Sequence, residues 1–178
     1  MQYGARYGAI PLAALLSLAT TACKNQNPIR LEQTIEESRP LVSTLRFSEQ
    51  SRTDQLIRGF YDLQANAWRW TAPQFEVVLA APAESQTKGA ELVLEFDLPD
   101  PTIAELKTIT VSAKVNGFPL APETFSTTGQ HQYRREIPAS AFHQQDTVVE
   151  FSVDKYLVPP GDGRHLALVV SGVGLEPK

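Results

Sequence analysis

The stretch AELVLEF, residues 90–96, decides the fold of this chain. Leu92, Leu94 and Phe96 recur at every second position and share one face, while Glu91 and Glu95 lie on the other. A period of two is that of a β-strand that buries one face. The stretch therefore predicts a half-buried strand, with Leu94 in the core and Glu95 outside it.

The same alternation recurs along the chain after residue 44 and predicts Val111 and Phe151 as further core residues. It is seen in ITVSAKV (109–115), TVVEFSV (147–153) and, less regularly, HLALVVSGVGL (165–175), and further strands are predicted at about 44–48, 67–71, 74–80 and 131–137. About eight strands separated by turns, with little helix, predict an all-β fold. The expected architecture is a two-sheet antiparallel β-sandwich of jelly-roll type.

The segments between these strands carry their own signals. Asn116-Gly117 predicts a tight hairpin, because both central residues of a type I′ turn need positive φ. Residues 100–107 predict one helical turn. The sequence SGVG, residues 171–174, lies in the last predicted strand and is not followed by a helix, so close packing is expected there instead of phosphate binding.

The N-terminus resembles that of a bacterial lipoprotein. Residues 1–22 combine one charge, Arg6, with an apolar run and small residues, which is typical of a secretory signal. LATTAC (18–23) resembles a lipobox and would make Cys23, the one cysteine, the acylated N-terminus; cleavage by the ordinary signal peptidase is the alternative. We expect a signal peptide at 1–22, an acylated cysteine and polar tether at 23–43, and a β-sandwich domain at 44–178. By the same resemblance, Lys24 directly after the cysteine favours the outer membrane over retention in the inner one.

Composition and motifs exclude several classes of protein. The net charge of -4 and the lack of a basic run argue against nucleic acid as a partner. His131, His143 and His165 are too far apart in sequence for a zinc motif, and no nucleophile or nucleotide motif occurs. Asp97 and Asp100 could ligate calcium, although a solvated turn is the alternative. We therefore expect no catalytic residue, no metal and no cofactor.

The most informative aromatic stretch is GFYDLQANAWRWT, residues 59–71, which contains both tryptophans of the chain. In a strand, Trp68 and Trp70 share a face and Arg69 lies on the opposite one. We expect Trp70 to be buried and structural, Trp68 to reach the rim at a frayed strand end, and Phe60 to close the core. Aromatic rings beside polar side chains suit a sugar, whose C–H face stacks on a ring while its hydroxyls form hydrogen bonds. The candidate ligand-binding residues are Tyr61, Asp62, Asn66, Trp68 and Arg69. The alternatives are that at least one tryptophan anchors the core and that the Tyr61 hydroxyl pins a loop.

This stretch resembles a β-sandwich region found in bacterial envelope proteins and beside some glycosyltransferases. The region typically reads Gly-aromatic-Tyr, a short gap, and Arg-Trp-Thr, which Gly59-Phe60-Tyr61 and Arg69-Trp70-Thr71 match. The VNG hairpin (115–117) and the tail RHLALVVSGVGLEPK (164–178) are similar as well. The resemblance implies a jelly-roll domain like a carbohydrate-binding module. Gln64 stands where the pattern often has Glu, which weakens any role that needs a carboxylate there.

Three functions follow as hypotheses. The first is a non-catalytic, glycan-binding lipoprotein of the cell envelope, exported and held at the outer membrane by its lipid. The second is a structural or adaptor lipoprotein that binds an envelope protein. The third, a hydrolase, needs a pair of carboxylates that the sequence does not locate. An exposed groove with aromatic rings would favour the first, a flat apolar patch the second, and converging carboxylates in a cleft the third.

Overall fold

The computed structural model describes residues 39–48 and 52–178. These residues form ten strands: β1 (Thr44–Arg46), β2 (Leu56–Gln64), β3 (Trp68–Ala80), β4 (Ala90–Leu98), β5 (Ile109–Val115), β6 (Phe118–Pro119), β7 (Glu123–Phe125), β8 (Gly129–Ile137), β9 (Asp146–Val153) and β10 (Val169–Pro177). Two short α-helices, α1 (Ser85–Lys88) and α2 (Asp100–Leu106), and two 3-10 turns connect them. Neither helix is long and apolar enough to span a bilayer.

Strand β3 joins the two layers of the fold. Its first residues pair with β10, through Trp70 opposite Val169, and its residues 74–80 pair with β9. The first layer therefore has the order β3-β10-β4-β8, and the second has the order β3-β9-β5 with β6 and β7 on β5. All the pairings are antiparallel, with β1 on β10 and β2 on β3 completing the sheets.

The two layers face each other across a shared core. The ring of Phe96 on β4 meets the ring of Phe125 on β7 edge-on, with 5.0 Å between centroids. The Tyr133 hydroxyl on β8 donates a hydrogen bond to the carbonyl of Ala121, next to β7, at 2.8 Å. Apolar side chains from both layers form a single buried cluster. The predicted all-β antiparallel sandwich of jelly-roll type is confirmed, and its two layers belong to one ten-stranded sheet that curls at β3.

The predicted strand faces are confirmed as well. Leu94 and Val111 have no exposed surface and Phe151 is 2% exposed, while Glu95 lies on the opposite face of β4. Burial of a leucine or phenylalanine side chain contributes about 1.5–3 kcal/mol to folding, so these positions are a large part of what holds the layers together. The predicted helical turn is α2, and the Asn116-Gly117 turn has φ of 49° and 81°.

One predicted break is absent. The segments 67–71 and 74–80 were expected to be separate strands, but β3 runs through Pro73 without interruption. A proline removes a ladder hydrogen bond, which is tolerated only where no partner needs it. Pro73 lies between Thr71, bonded to Leu168, and Gln74, paired with Ser152, where β3 changes neighbours. The change of layer accommodates the proline.

Strand β2 was not predicted, because its alternation is broken at Gly59. That residue has φ +80°, and a Cβ there would lie 2.1 Å from the carbonyl oxygen of Gln74. The register between β2 and β3 shifts on both sides of Arg58 and again before Leu63. Only glycine fits both this conformation and this close approach, so the bulge in β2 depends on Gly59.

Val42 and Ser43, at the end of the predicted 23–43 segment, form backbone hydrogen bonds with Ala80 of β3 and Leu175 of β10. The buried side chain of Gln55 accepts a hydrogen bond from Val42 N and donates to Val42 O, both at 3.0 Å. The predicted signal peptide, Cys23 and most of the tether lie outside the described residues.

Candidate functional site: a groove with two tryptophans

A groove of about 1150 Å³ opens on the first layer, near the hairpin between β2 and β3. Four strands of that layer, β7 of the second layer and the segment that joins β7 to β8 form most of its lining. The lining residues are Ala67, Trp68, Trp70, Glu95, Phe96, Asp97, Pro99, Glu123, Thr124, Phe125, Ser126, Thr127, Gln130, His131, Gln132, Val169 and Ser171.

The strand register places one row of side chains across the groove. Trp70 lies opposite Val169, which lies opposite Asp97, which lies opposite Gln130. Residues directly opposite each other on antiparallel strands have neighbouring side chains on one face. An aromatic ring, an apolar side chain, a carboxylate and an amide therefore follow one another along one face, contributed by segments that are far apart in the sequence.

A second row follows along the same face. Glu95 lies opposite Gly172 on one side and Gln132 on the other. Between Val170 and Gly172 the register shifts, and the extra residue of this bulge is Ser171. The Ser171 hydroxyl lies 3.4 Å from the Glu95 carbonyl oxygen. The bulge thus adds an exposed hydroxyl to the groove.

The two tryptophans meet edge to face, with ring centroids 6.5 Å apart and an angle of 85° between the rings. Both are partly exposed and both line the groove. The prediction that Trp70 is buried and structural, with Trp68 alone at the rim, is therefore wrong. Strand β3 is regular from Trp68 onward, so residues two apart keep the same face and both rings reach the surface.

The carboxylates of the groove differ in their partners. Glu95 accepts hydrogen bonds from Arg46 Nη1 at 3.1 Å and from Gln132 Nε2 at 3.3 Å. Glu123 forms an ion pair with Arg135 at 2.8 Å. Asp97 has no hydrogen-bond or ion-pair partner among the residues that the structure describes, and its cross-strand neighbour Gln130 has none either. These two side chains are available to a ligand.

His131 shapes the end of the groove beside β7. Its ring lies 5.7 Å from Phe96 and 5.1 Å from Phe125, and its Nε2 is 2.8 Å from the Thr127 carbonyl oxygen. The residue is partly buried by these contacts. His131 therefore fixes the turn that forms one wall.

Of the five candidate residues, Trp68 lines the groove. Tyr61 instead contacts the loop before β10: its hydroxyl donates to His165 O at 3.3 Å and accepts from His165 N at 3.2 Å. The Arg164 guanidinium lies 5.4 Å from the centre of the Tyr61 ring. Tyr61 thus pins a loop, which was the alternative explanation for a tyrosine in this stretch.

The other three candidates also lie outside the lining. Arg69 points to the core face, where Nη1 donates to Tyr61 O at 2.8 Å and the guanidinium lies 5.8 Å from the Phe47 ring. Asp62 is exposed on β2. Asn66 is exposed at the tip of the hairpin with φ 51°, in a turn that Ala67 N closes on Gln64 O at 3.0 Å. The structure does not bring these three together with Trp68.

The sequence pointed only weakly to the remaining groove residues. Glu95 was placed on the outer face of its strand, and Asp97 was considered with Asp100 as a calcium ligand. Gln130 and Gln132 carried no signal, because their position depends on the register of β8 against β4. In residues 39–48 and 52–178, no group of three or more potential metal ligands comes together.

Comparison with known proteins identifies no family. No family model matches the sequence, and no curated protein matches it.

Several solved structures have a similar course of the chain. An acetyl xylan esterase from the rumen bacterium Butyrivibrio proteoclasticus is 12% identical over 78% of this chain, with a TM-score of 0.44, and this chain spans only 34% of its length. The mannan-recognising carbohydrate-binding module TmCBM27 is 12% identical over 78% of this chain and 98% of its own, with a TM-score of 0.43. The CBM36-1 domain of a multidomain xylanase from the hindgut metagenome of Trinervitermes trinervoides is 6% identical over 74% of this chain and 94% of its own, with a TM-score of 0.38. All three TM-scores lie below 0.5, so we draw no function from these similarities.

Proposed function

We propose that this domain binds a glycan chain in the tryptophan groove and does not cleave it. The observation that carries the proposal is the row of Trp70, Asp97 and Gln130 across three strands, with Trp68 beside it. A pyranose has an apolar C–H face and a rim of hydroxyls, so it needs a ring to stack on and polar groups nearby. This groove offers both within one face of a rigid sheet.

The polar groups support binding of hydroxyls. A carboxylate accepts hydrogen bonds, whereas the Gln130 amide both donates and accepts. Because neither the Asp97 nor the Gln130 side chain is bonded to another described residue, a sugar hydroxyl replaces water there and breaks no internal contact. The rings of Trp68 and Trp70 are nearly perpendicular, so they offer two separate stacking positions instead of one flat platform.

Other observations weigh against the alternatives. The large exposed apolar side chains of the described residues are Ile57, Phe118, Val148, Tyr156 and Val158, and only the last two lie on the same segment. On the second layer, Arg58 pairs with Glu76 at 2.7 Å and with Glu150 at 3.8 Å, which gives that face a charged row instead of an apolar patch. Glu95, a potential catalytic carboxylate, is held by Arg46 and Gln132. These features favour binding over an adaptor surface or hydrolysis.

We also propose that the protein is exported and anchored to the outer membrane through acylated Cys23. This rests on the signal-like residues 1–22 and on the position of the one cysteine directly after them. Acyl chains contribute about 0.8 kcal/mol per buried CH₂, so two or more chains make a stable anchor. The domain would then meet polysaccharide at the cell envelope.

The test is calorimetric titration of the purified protein with a panel of soluble envelope and matrix polysaccharides, together with an assay for released reducing ends. We expect binding without cleavage, weakened about five- to thirtyfold by Trp70→Ala and by Trp68→Ala, since each loses about 1–2 kcal/mol of stacking and apolar contact. Phe118→Ala removes an exposed ring outside the groove lining and serves as the control. Release of reducing ends, or binding that both tryptophan variants retain, would contradict the proposal.

A further inference from the structure

The charge of the groove distinguishes between classes of glycan. Three carboxylates line it, those of Glu95, Asp97 and Glu123, and no lysine or arginine does so among the residues that the structure describes. Two of the three carboxylates are neutralised, by Arg46 at 3.1 Å and by Arg135 at 2.8 Å. The lining therefore contains one carboxylate, that of Asp97, without a described cation beside it.

The position of this carboxylate relates it directly to the tryptophans. Asp97 is separated from Trp70 by the width of a single strand, β10, and all three side chains of that row share a face. A sugar ring stacked on Trp70 would therefore hold its ring substituents within reach of the carboxylate. The face of an indole also attracts cations through its quadrupole. Both features favour a positively charged substituent on the sugar.

We propose that the ligand is a glycan with free amino groups, a hexosamine polymer that lacks at least part of its N-acetyl groups. The inference rests on the proposed function and specifies the class of glycan. The protonated amine of one residue pairs with Asp97 while its ring stacks on Trp70. An N-acetylated residue keeps the stacking but loses the ion pair, and a uronic acid brings a second negative charge to Asp97.

The experiment compares two probes that share one backbone and differ at the nitrogen, which is a free amine in one and an acetamide in the other. A β-1,4-linked glucosamine hexamer and its fully N-acetylated counterpart are titrated into the purified protein at about pH 6, where such an amine is protonated. We expect the amine-bearing hexamer to bind about five- to tenfold more tightly, as for a charge-assisted hydrogen bond at a partly exposed site. In Asp97→Asn the two hexamers should bind within about twofold of each other, and in the unchanged protein the preference should shrink as salt is added.

The control removes the same charge nearby. Asp100→Asn changes an exposed aspartate just beyond β4 that does not line the groove, so it should leave the preference intact. Equal loss in both variants would mean that the hexamer is attracted by overall charge, and would overturn the inference. So would a preference for the N-acetylated hexamer, or binding of neutral polysaccharides alone, although either leaves the proposed function standing. If no glycan binds, both proposals fail.

Discussion

Replacing Gly59 by alanine tests the bulge that joins β2 to β3. In the structure Gly59 has φ +80°, and a Cβ would lie 2.1 Å from Gln74 O and 2.7 Å from the Phe75 Cα. Both are backbone atoms, so neither can move aside like the end of a flexible side chain. Phe75 is fully buried and stacks on Phe151 at 4.7 Å between centroids, which makes a shift of β3 costly as well.

The expected magnitude has two parts. A non-glycine residue in the left-handed region costs roughly 1–2 kcal/mol. Forcing extra volume into a packed site adds about 1–3 kcal/mol, which gives about 3–5 kcal/mol for Gly59→Ala at the upper half of both ranges. At about 2–4 °C per kcal/mol for a domain of this size, the melting temperature should fall by roughly 10 °C.

Gly161 provides the matched control. It has φ +75°, but a Cβ there would meet nothing within 4 Å. Gly161→Ala should therefore show only the backbone cost, about 1–2 kcal/mol. Asparagine tolerates the left-handed region, so Gly161→Asn should recover part of that loss, whereas Gly59→Asn should not, because the Cβ clash remains. The measurement is urea unfolding followed by tryptophan fluorescence; equal losses of unfolding free energy at the two positions would refute the close approach.

Three further predictions concern the acylation of Cys23, the two faces of β4, and the ion pair between Arg134 and Glu91. Cys23→Ser should move the protein from the membrane fraction to the soluble periplasmic fraction, and soluble wild-type protein with a free thiol would disprove acylation. Leu94→Ala should lower the free energy of unfolding by about 2–5 kcal/mol and Glu95→Ala by less than about 1 kcal/mol, so similar losses in urea unfolding would invalidate the face assignment. The Arg134 guanidinium, 2.6 Å from Glu91, holds the pKa of that carboxyl below its ordinary 4.5. The ion pair therefore stabilises the fold above about pH 4.5, and this stabilisation is lost as the pH falls through the lowered pKa of Glu91. The difference in unfolding free energy between wild type and Glu91→Gln should narrow below about pH 4.5. A constant difference across the acid range would contradict this.

Strand faces could be predicted from the sequence because they depend on local alternation. Leu94 and Glu95 are neighbours in the chain, so their opposite faces follow from the geometry of one strand. The bulge in β2 could not be predicted in this way. Gly59 breaks the alternation because the backbone of Gln74, on another strand, leaves no room for a Cβ there. A local pattern contains no information about such a distant backbone contact.

The positions of the tryptophans show the same limit. Alternation placed Trp68 and Trp70 on one face, and that part of the expectation holds. Alternation could not decide whether that face is inside or outside, because two large aromatic rings are compatible with either. The decision depends on how β3 pairs with strands that are distant in the sequence: Trp70 lies opposite Val169 of β10, and Val169 lies opposite Asp97 of β4.

The groove combines two kinds of specificity that arise from different levels of structure. Stacking requires only that β3 be a regular strand, since regularity alone puts Trp68 and Trp70 on one face. The charge at Asp97 requires the register of three strands and also the two arginines that neutralise Glu95 and Glu123. A substitution at Arg46 would free the Glu95 carboxylate without touching the tryptophans. Arg46→Ala should therefore strengthen binding of an amine-bearing glycan and leave a neutral one nearly unaffected, and equal changes for both ligands in calorimetric titration would show that the carboxylates do not select between them.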